Sequence, residues 1–344
     1  MKIENRKLKR ILYIANYKEG VGGISGQVEM LHKCVNSDQY EADIFSTKGN
    51  IVKRVWKLMA LICVARKYDV LHIHGCSERG MLPILYGVIA GKIWRKKIIV
   101  TYHGGGAEEY FAHHDAFARR WLCRADKVIV LNGYLEKVFK AYNISCVVIP
   151  NIISLPEIKR THEWNTKAPR FISVRHLREL YNIPCILRAF QQAQQQIPDA
   201  SLTILGSGPL LEELQQYVRE NDLKHVTFVG QVPNQEMNKY LADHDIFLSA
   251  PRVDNMPVSV LEAMNAGVLV ISSRVGGVPY MIEHQKTGLL FDSSQESGVN
   301  ELAREMLWAM EHQEESLRMI EAAHKEVKKY SWKEVMLKLQ KLYE

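Results

Sequence analysis

Short, almost unbroken apolar runs recur along the chain, and between them lie stretches whose apolar positions return every three or four residues. In the first half, residues 10–16 (RILYIAN), 70–74 (VLHIH), 98–103 (IIVTYH), 127–131 (KVIVL) and 146–150 (CVVIP) read as strands. Strands apolar on both faces suit a parallel sheet covered by helices on both sides. Residues 24–36 and 52–66 carry the helical period between them. The apolar runs at 58–65 and 81–90 fall short of the ~18 residues that a membrane span needs, and read as buried helices. Residues 151–170 are polar, contain Pro156 and Pro169, and hold no apolar period, which marks them as the linker.

The second half repeats the alternation. Strands are predicted at 171–174, 201–205, 226–229, 246–249, 269–272 and 289–291, with helices at 185–194, 209–221 and 259–265. Two successive βα arrays predict an α/β chain of two doubly wound, Rossmann-like domains, 1–155 and 168–325, facing each other across a cleft. A helical segment within 326–344, with Val335, Leu337, Leu339 and Leu342, is left to pack on either domain or cross back to the first.

Composition adds a few limits. With 344 residues, 47% of them hydrophobic, there is core enough for two domains. The six cysteines are scattered without CxxC or metal-ligand spacing and read as thiols of a reducing compartment. The opening MKIENRKLKR lacks the apolar stretch of a signal peptide, so a cytoplasmic protein is expected. Charge is uneven: residues 1–150 carry 24 Lys and Arg against 13 Asp and Glu, and the remainder 21 against 25. The basic half suggests an anionic partner, or simply solvated helix faces; beyond charge, nothing indicates nucleic acid. Lys53, Arg54, Lys57, Arg66 and Lys67 flank apolar Val55, Leu58, Leu61 and Ile62, a pattern suited to an anionic membrane surface or to a buried helix with a basic rim.

The densest chemistry lies in LSAPRVDNMPVSVLEAMNAGVLVISSRVGGVPYMIEHQKTGLLF, residues 248–291. A strand ends, a loop carries Asp254, and a helix opens at Pro257–Ser259, its amides at Val258, Ser259 and Val260 placed to meet a phosphate. Glu262 lies about one turn into the helix, where it either complements the helix dipole or accepts hydrogen bonds from vicinal hydroxyls such as those of a ribose. This window resembles glycosyltransferase family 4, whose members carry E-G-x-P-x-x-x-L-E-A-M-A-x-G; here it reads Asp254-Asn-Met-Pro257-Val-Ser-Val-Leu-Glu262-Ala-Met264-Asn-Ala-Gly267. The likeness continues through Gly276-Gly277-Val-Pro279, Lys286-Thr-Gly288, Leu205-Gly206-Ser-Gly208-Pro209 and Val226-Thr-Phe-Val-Gly230-Gln-Val, nearly the whole second half.

The resemblance implies the GT-B fold and a retaining transfer of sugar from a UDP- or GDP-sugar to an acceptor hydroxyl, in polysaccharide or glycolipid assembly, with a saccharide or lipid-linked saccharide as acceptor. No cofactor or metal is implied beyond the nucleotide-sugar substrate. It places Asp254 at the transferred sugar, Glu262 at the ribose and Arg175 at the diphosphate, with Arg178 as a substitute. Gly206, Gln231, Val232, Asn255, Met256, Pro257, Val258 and Ser259 complete the donor set. Asp254 stands where the family has Glu, and Tyr181 or Asn182 where it has a lysine, with Arg252 and Arg274 as candidate replacements. In the first half it places Gly22 and Gly23 of the loop GVGGISG by the donor phosphates and the acceptor, and His103 by the reacting sugar. A nucleotide-sugar epimerase and a non-catalytic nucleotide-sugar-binding partner are the alternative functions.

Several strings have competing readings. Gly206-Ser-Gly208 lacks the third glycine of a dinucleotide fingerprint, Leu211 taking its place. His103-Gly-Gly-Gly has no accompanying GxSxG nucleophile. His72 and His74 share a strand face and read as structural or cleft-lining, as does His113-His114-Asp115; Asp243-His244-Asp245 sits at a helix-to-strand junction and reads as structural rather than metal-binding.

Overall fold

The computed structural model describes residues 8–20, 22–37, 39–293 and 297–344; most of the basic opening segment, Val21 of the glycine loop and the Arg54 side chain lie outside the described residues. The chain divides into two compact units, residues 1–153 with 330–344, and residues 154–329.

The first unit runs β1 (Lys9–Ala15), α1 (Ile24–Val35), β2 (Tyr40–Ser46), α2 (Ile51–Ala65), β3 (Val70–Gly75), α3 (Met81–Ile93), β4 (Lys97–Tyr102), α4 (Ala107–Leu122), β5 (Lys127–Val130), α5 (Gly133–Ala141) and β6 (Val147–Val148). Its sheet has the order β2-β1-β3-β4-β5-β6, and every pairing is parallel. β3 is buried throughout, as a central strand covered on both faces must be. β2 is absent from the hydrophobic reading because it is an edge strand: Tyr40 and Ala42 are buried, but YEADIFS is otherwise half-exposed and breaks the apolar run. Asn50 and Asn132 cap α2 and α5, accepting from the amides of Lys53 and Leu135.

The second unit runs β7 (Arg170–Val174), α6 (Ile183–Gln194), β8 (Ser201–Leu205), α7 (Leu211–Glu220), β9 (Val226–Gly230), α8 (Met237–Ala242), β10 (Ile246–Ser249), α9 (Val258–Asn265), β11 (Leu269–Ser273), β12 (Leu289–Phe291), α10 (Ser297–Glu311) and α11 (Gln313–Glu326). Its order, β12-β11-β10-β7-β8-β9, is again wholly parallel, with β7 and β10 side by side. Pro209, expected to open a helix, precedes α7, which starts at Leu211. The last helix, α12 (Trp332–Tyr343), returns to the first unit. Its Val335, Met336, Leu339 and Tyr343 pack with Ile11, Tyr13, Val28 and Ile99, while Leu337 is left exposed.

From Ser154 onward the segment read as a linker is an irregular strap bound to the second unit, while residues 151–153 belong to the first. Asp245, fully buried at the start of β10, accepts hydrogen bonds from Arg160 Nη2, from His162 Nε2 at 3.0 Å and from the Arg170 amide at 2.9 Å. Asp243 takes Thr161 Oγ1 at 2.8 Å and Arg170 Nη1 at 2.6 Å, and Trp164 is buried in the core. The Asp-His-Asp string thus anchors the strap. Removing Asp245 would strand a partly buried Arg160, so Asp245→Ala is expected to cost about 3 kcal/mol. The check is a lower urea midpoint at unchanged slope.

Candidate active site

In the second unit the predicted donor residues gather at the carboxyl ends of parallel strands. Arg175 follows β7, Gly206 follows β8, Gln231 and Val232 follow β9, and the Asp254 loop follows β10. Arg175 is held by its backbone, its amide donating to Leu205 O at 3.0 Å. The neighbouring glycines explain themselves here. A Cβ on Gly206, at φ +139°, would stand 1.9 Å from Arg175 O, and one on Gly208 2.3 Å from Leu177 O. GxG therefore serves close approach of two loops within the protein. Gly206 in turn donates to Gly230 O at 2.8 Å, tying the turn before Gln231 into the same cluster.

The Arg175 guanidinium pairs with Asp254, Nη2 to Oδ2 at 2.9 Å, with both side chains largely withdrawn from solvent. The same nitrogen reaches Ser249 Oγ at 3.4 Å, and the guanidinium lies over the Tyr181 ring, 5.3 Å from its centre. Tyr181, one of the two residues standing where the family has lysine, thus backs Arg175 without adding a second cation. Asp254 is fixed from both ends: its Oδ1 accepts the Asn255 amide at 2.8 Å and its carbonyl the Gly277 amide at 3.2 Å. Asn255, Met256 and Pro257 are buried ahead of α9. Of the three helix amides expected to be open, that of Val260 instead donates to Pro257 O at 3.2 Å. Val258 and Ser259 remain as the donors at the helix start. Among the described residues, Arg175 Nε and Ser259 Oγ are buried with no hydrogen-bond partner, an arrangement that costs free energy until something supplies one.

Glu262, half-buried on α9, shares this environment. Loss of hydration pushes its carboxyl up to about 7, with the Arg175 charge pulling the other way. Arg178 is exposed and, among the described residues, makes no ion pair with the cluster. Of the two other arginines considered as replacements for the lysine, Arg252 lies against the turn that holds Tyr181, its amide donating to Leu180 O at 2.9 Å. Arg252 lines a groove of about 920 Å³ with Arg188, Glu179 and Asp292. Arg274 acts on His284 and Glu305. Ser249 escaped the sequence reading because a serine ending an apolar strand carries no signal of its own.

In the first unit, Gly22 and Gly23 lie before α1. Gly23 adopts φ +67° as its N-cap, and among the described residues no atom lies within 4 Å of a Cβ placed on either glycine. His103 follows β4. Its amide donates to Gly75 O at 2.8 Å, and its ring stacks on His74 with Nε2 2.9 Å from His74 Nδ1. Burial lowers the His103 imidazole to about 4, so it is neutral near pH 7. His113 and Asp115 are exposed on α4 and His114 stacks on Tyr110. Among the described residues, no cluster of three His, Cys, Asp or Glu side chains is arranged to hold a metal ion.

The raised Glu262 has a sign that stability measurements can read. The folded chain keeps a proton that the unfolded chain releases above about 4.5, so folding takes up a proton between there and about 7. Glu262 therefore contributes stability at low pH that is lost as pH rises through that window. Urea midpoints at pH 5 and pH 8 are expected to differ more for the wild type than for Glu262→Gln. Equal differences would place the carboxyl at its ordinary value.

Residues 155–326 match the family model for glycosyl transferases group 1, and residues 28–156 that for glycosyltransferase family 4. The chain is 24% identical over 266 residues to the N-acetyl-alpha-D-glucosaminyl L-malate synthase of Bacillus anthracis, covering 72% of this chain and 68% of that one. It is 32% identical over 130 residues to a GDP-mannose-dependent alpha-(1-6)-phosphatidylinositol monomannoside mannosyltransferase of Mycobacterium tuberculosis, a match spanning 36% of this chain and only 34% of the relative. Among solved structures, the sucrose-phosphate synthase of Thermosynechococcus elongatus superposes with TM-score 0.81 at 18% identity, covering 98% of each chain. HepE of Anabaena in complex with UDP and glucose superposes with TM-score 0.78 at 15% identity, covering 97% of this chain and 98% of that one. At such identities the structural likeness shows the GT-B fold. With one family model matching half of its length and the other most of the rest, the chain belongs to the family 4 glycosyltransferases.

Proposed function

We propose that this glycosyltransferase moves a sugar from a UDP- or GDP-sugar to a hydroxyl of a saccharide or lipid-linked saccharide, with retention of configuration, in polysaccharide or glycolipid assembly. The observation that carries the reading is the Arg175–Asp254 pair just ahead of α9, with Arg175 Nε and Ser259 Oγ buried and, among the described residues, without hydrogen-bond partners. A diphosphate brings acceptor oxygens and negative charge, which suit Arg175 and the Val258 and Ser259 amides. By competing for Arg175 it would release Asp254 to accept hydrogen bonds from the sugar hydroxyls. Glu262 would accept from the ribose hydroxyls, a role that favours its ionised form and draws its raised pKa down on binding. Both nucleotides stay open because the mycobacterial relative is named for GDP-mannose and a HepE structure contains UDP-glucose.

In the proposed reaction the bond from the anomeric carbon to the diphosphate oxygen breaks, and the acceptor oxygen bonds that carbon on the same face. The acceptor proton passes to the departing phosphate. Arg175 and the helix amides stabilise the charge that develops on the leaving group, and neutral His103 hydrogen-bonds the sugar. No carboxylate is needed as a covalent nucleophile. Arg175→Ala is expected to lower turnover about 100-fold or more, and Glu262→Ala to abolish transfer while the chain stays folded. Thermal shifts with UDP, GDP, ADP and their sugars identify the donor, and NMR of the products separates transfer from epimerisation. Wild-type turnover in Glu262→Ala would overturn the assignment.

The basic face of the first unit supports an acceptor at an anionic membrane surface. Val55, Trp56 and Met59 are more than half exposed on α2, and Ile93 and Trp94 add apolar area where α3 ends beside it, Trp94 Nε1 donating to Ile62 O at 2.6 Å. Exposed Lys53, Arg66, Lys67, Lys92 and Arg95 come from the same two helices and the turns that follow them. Lys57 is not part of this face, since its ammonium donates to Ser46 O and Lys48 O. No helix among the described residues is long and apolar enough to cross a membrane; the contact proposed lies along the surface, through α2 and the end of α3. Sedimentation with phosphatidylserine vesicles is expected to show binding that Trp56→Ser with Met59→Ser weakens about tenfold and that high salt releases. Equal binding to neutral vesicles would sink the electrostatic part of this reading.

A further inference from the structure

After β3 the chain makes a tight turn over residues 76–80, its last part the short helical turn Glu78–Gly80 that leads into α3. Glu78 has φ +55°, a left-handed conformation that crowds a β-carbon against the backbone and that glycine adopts freely. Arg95, Asn143 and Asp222 share it for a local reason: each stands just past the end of a helix, where it lets the last carbonyls find donors. Glu78 ends no helix but opens one, and its surroundings hold it there. The Cys76 amide donates to Gly80 O at 3.2 Å and the Gly80 amide to Ser77 O at 2.9 Å. Ser77 Oγ lies 2.7 Å from the Tyr102 hydroxyl, and a Cβ on Gly104 would meet the Ser77 amide nitrogen at 3.2 Å. On the other side Asn16, just after β1, donates its Nδ2 to Arg79 O at 3.4 Å. The turn is therefore fixed between the strand end that leads to Gly22 and Gly23 and the one that leads to His103. The Glu78 carboxylate is exposed and, among the described residues, makes no ion pair or hydrogen bond. Burial raises the Tyr110 hydroxyl above its usual range and the Glu78 charge adds to this, so the carboxylate also lies near the first turn of α4.

We infer that Glu78 is an acceptor-specificity residue: its carboxylate accepts hydrogen bonds from adjacent hydroxyls of a saccharide acceptor. The inference rests on the transfer reading proposed above, in which the reacting sugar stands at His103. The ends of parallel strands gather at one edge of the sheet, so an acceptor that reaches this sugar meets the turn between β1 and β4. A carboxylate is an acceptor at both oxygens and a donor at neither, which suits neighbouring hydroxyls of a sugar ring. No fixed cation competes for it. Arg79, next in the chain, is also exposed and in no ion pair among the described residues; it offers donors in turn and disfavours a cationic ligand. Because the turn is held from both sides, little ordering is lost when a hydroxyl binds. The fold itself has no use for a glutamate here. Glycine would fill the same turn without strain, and an exposed side chain adds no buried area. What glycine lacks is the carboxylate.

The test uses the full chain, with the methyl glycosides of glucose, galactose and mannose as probes. Titration at millimolar glycoside, followed by saturation-transfer difference NMR, is expected to show at least one of them bound to the wild type. Glu78→Gln, which keeps the size and loses the charge, is expected to weaken that binding about tenfold. Glu78→Gly is expected to lose it as well, while its urea midpoint rises because the left-handed turn is relieved. Binding that is absent from the wild type, or unchanged in either variant, overturns the inference. So does a lower urea midpoint in Glu78→Gly, which would make the glutamate a structural residue. Failure of the transfer reading shows separately. If UDP, GDP, ADP and their sugars all leave the thermal midpoint unmoved, that reading fails and the inference with it. If a nucleotide binds and the glycoside result is negative, the inference alone fails.

Discussion

Parallel pairing constrains everything else in this molecule. A parallel strand cannot return by a tight turn, so the chain must cross back over the sheet after each one, and helices that cover both faces do so. All strands of a sheet then end at one edge, and the residues that follow them meet there although they are distant in sequence. Arg175, Gly206, Gln231 and Asp254 come together for this reason, each in the loop that follows a different strand. The same constraint in the first unit brings His74 of β3 beside His103 after β4.

Close contact at that edge is what makes the loops rigid. The Arg175–Leu177 backbone lies so near Gly206 and Gly208 that any side chain there would overlap a carbonyl, and the Gly206 amide is anchored on Gly230. A guanidinium carried on such a loop has little freedom left to lose to any partner. Its pairing with Asp254 keeps both charges compensated in the meantime, and the Tyr181 ring covers it. The cost remains visible in the unpartnered Arg175 Nε and Ser259 Oγ, and in a Glu262 carboxyl that resists ionisation. Carboxyls perturbed in this way gather at sites that bind something more often than elsewhere.

The buried aspartate of Asp243-His244-Asp245 shows the opposite use of polar chemistry. Asp245 has its partners at hand in Arg160, His162 and the Arg170 amide, so it holds a strap in place. His244 is likewise committed, to Tyr240 O and Thr203 Oγ1. A polar group whose partners all come from its own unit is structure. One that lacks them at a loop edge points to a ligand.

Most of the order of elements and their parallel pairing were legible from the residues alone. Apolar runs report burial on two faces, and the Asp254–Gly267 string concentrates its chemistry in one stretch of chain. Edge strand β2 was not legible, because a strand with one neighbour need not be apolar throughout. Nor was the strap, whose hold comes from charges about 80 residues away, read as a linker for want of a local period. Tertiary structure alone decided that Arg175 pairs with Asp254, that Arg252 lines a groove with Asn182, and that α12 packs on the first unit and joins Tyr343 to His72. Periodicity tells which face of an element is buried. Which partner it meets depends on contacts between residues far apart in the chain, and only the folded backbone sets those distances.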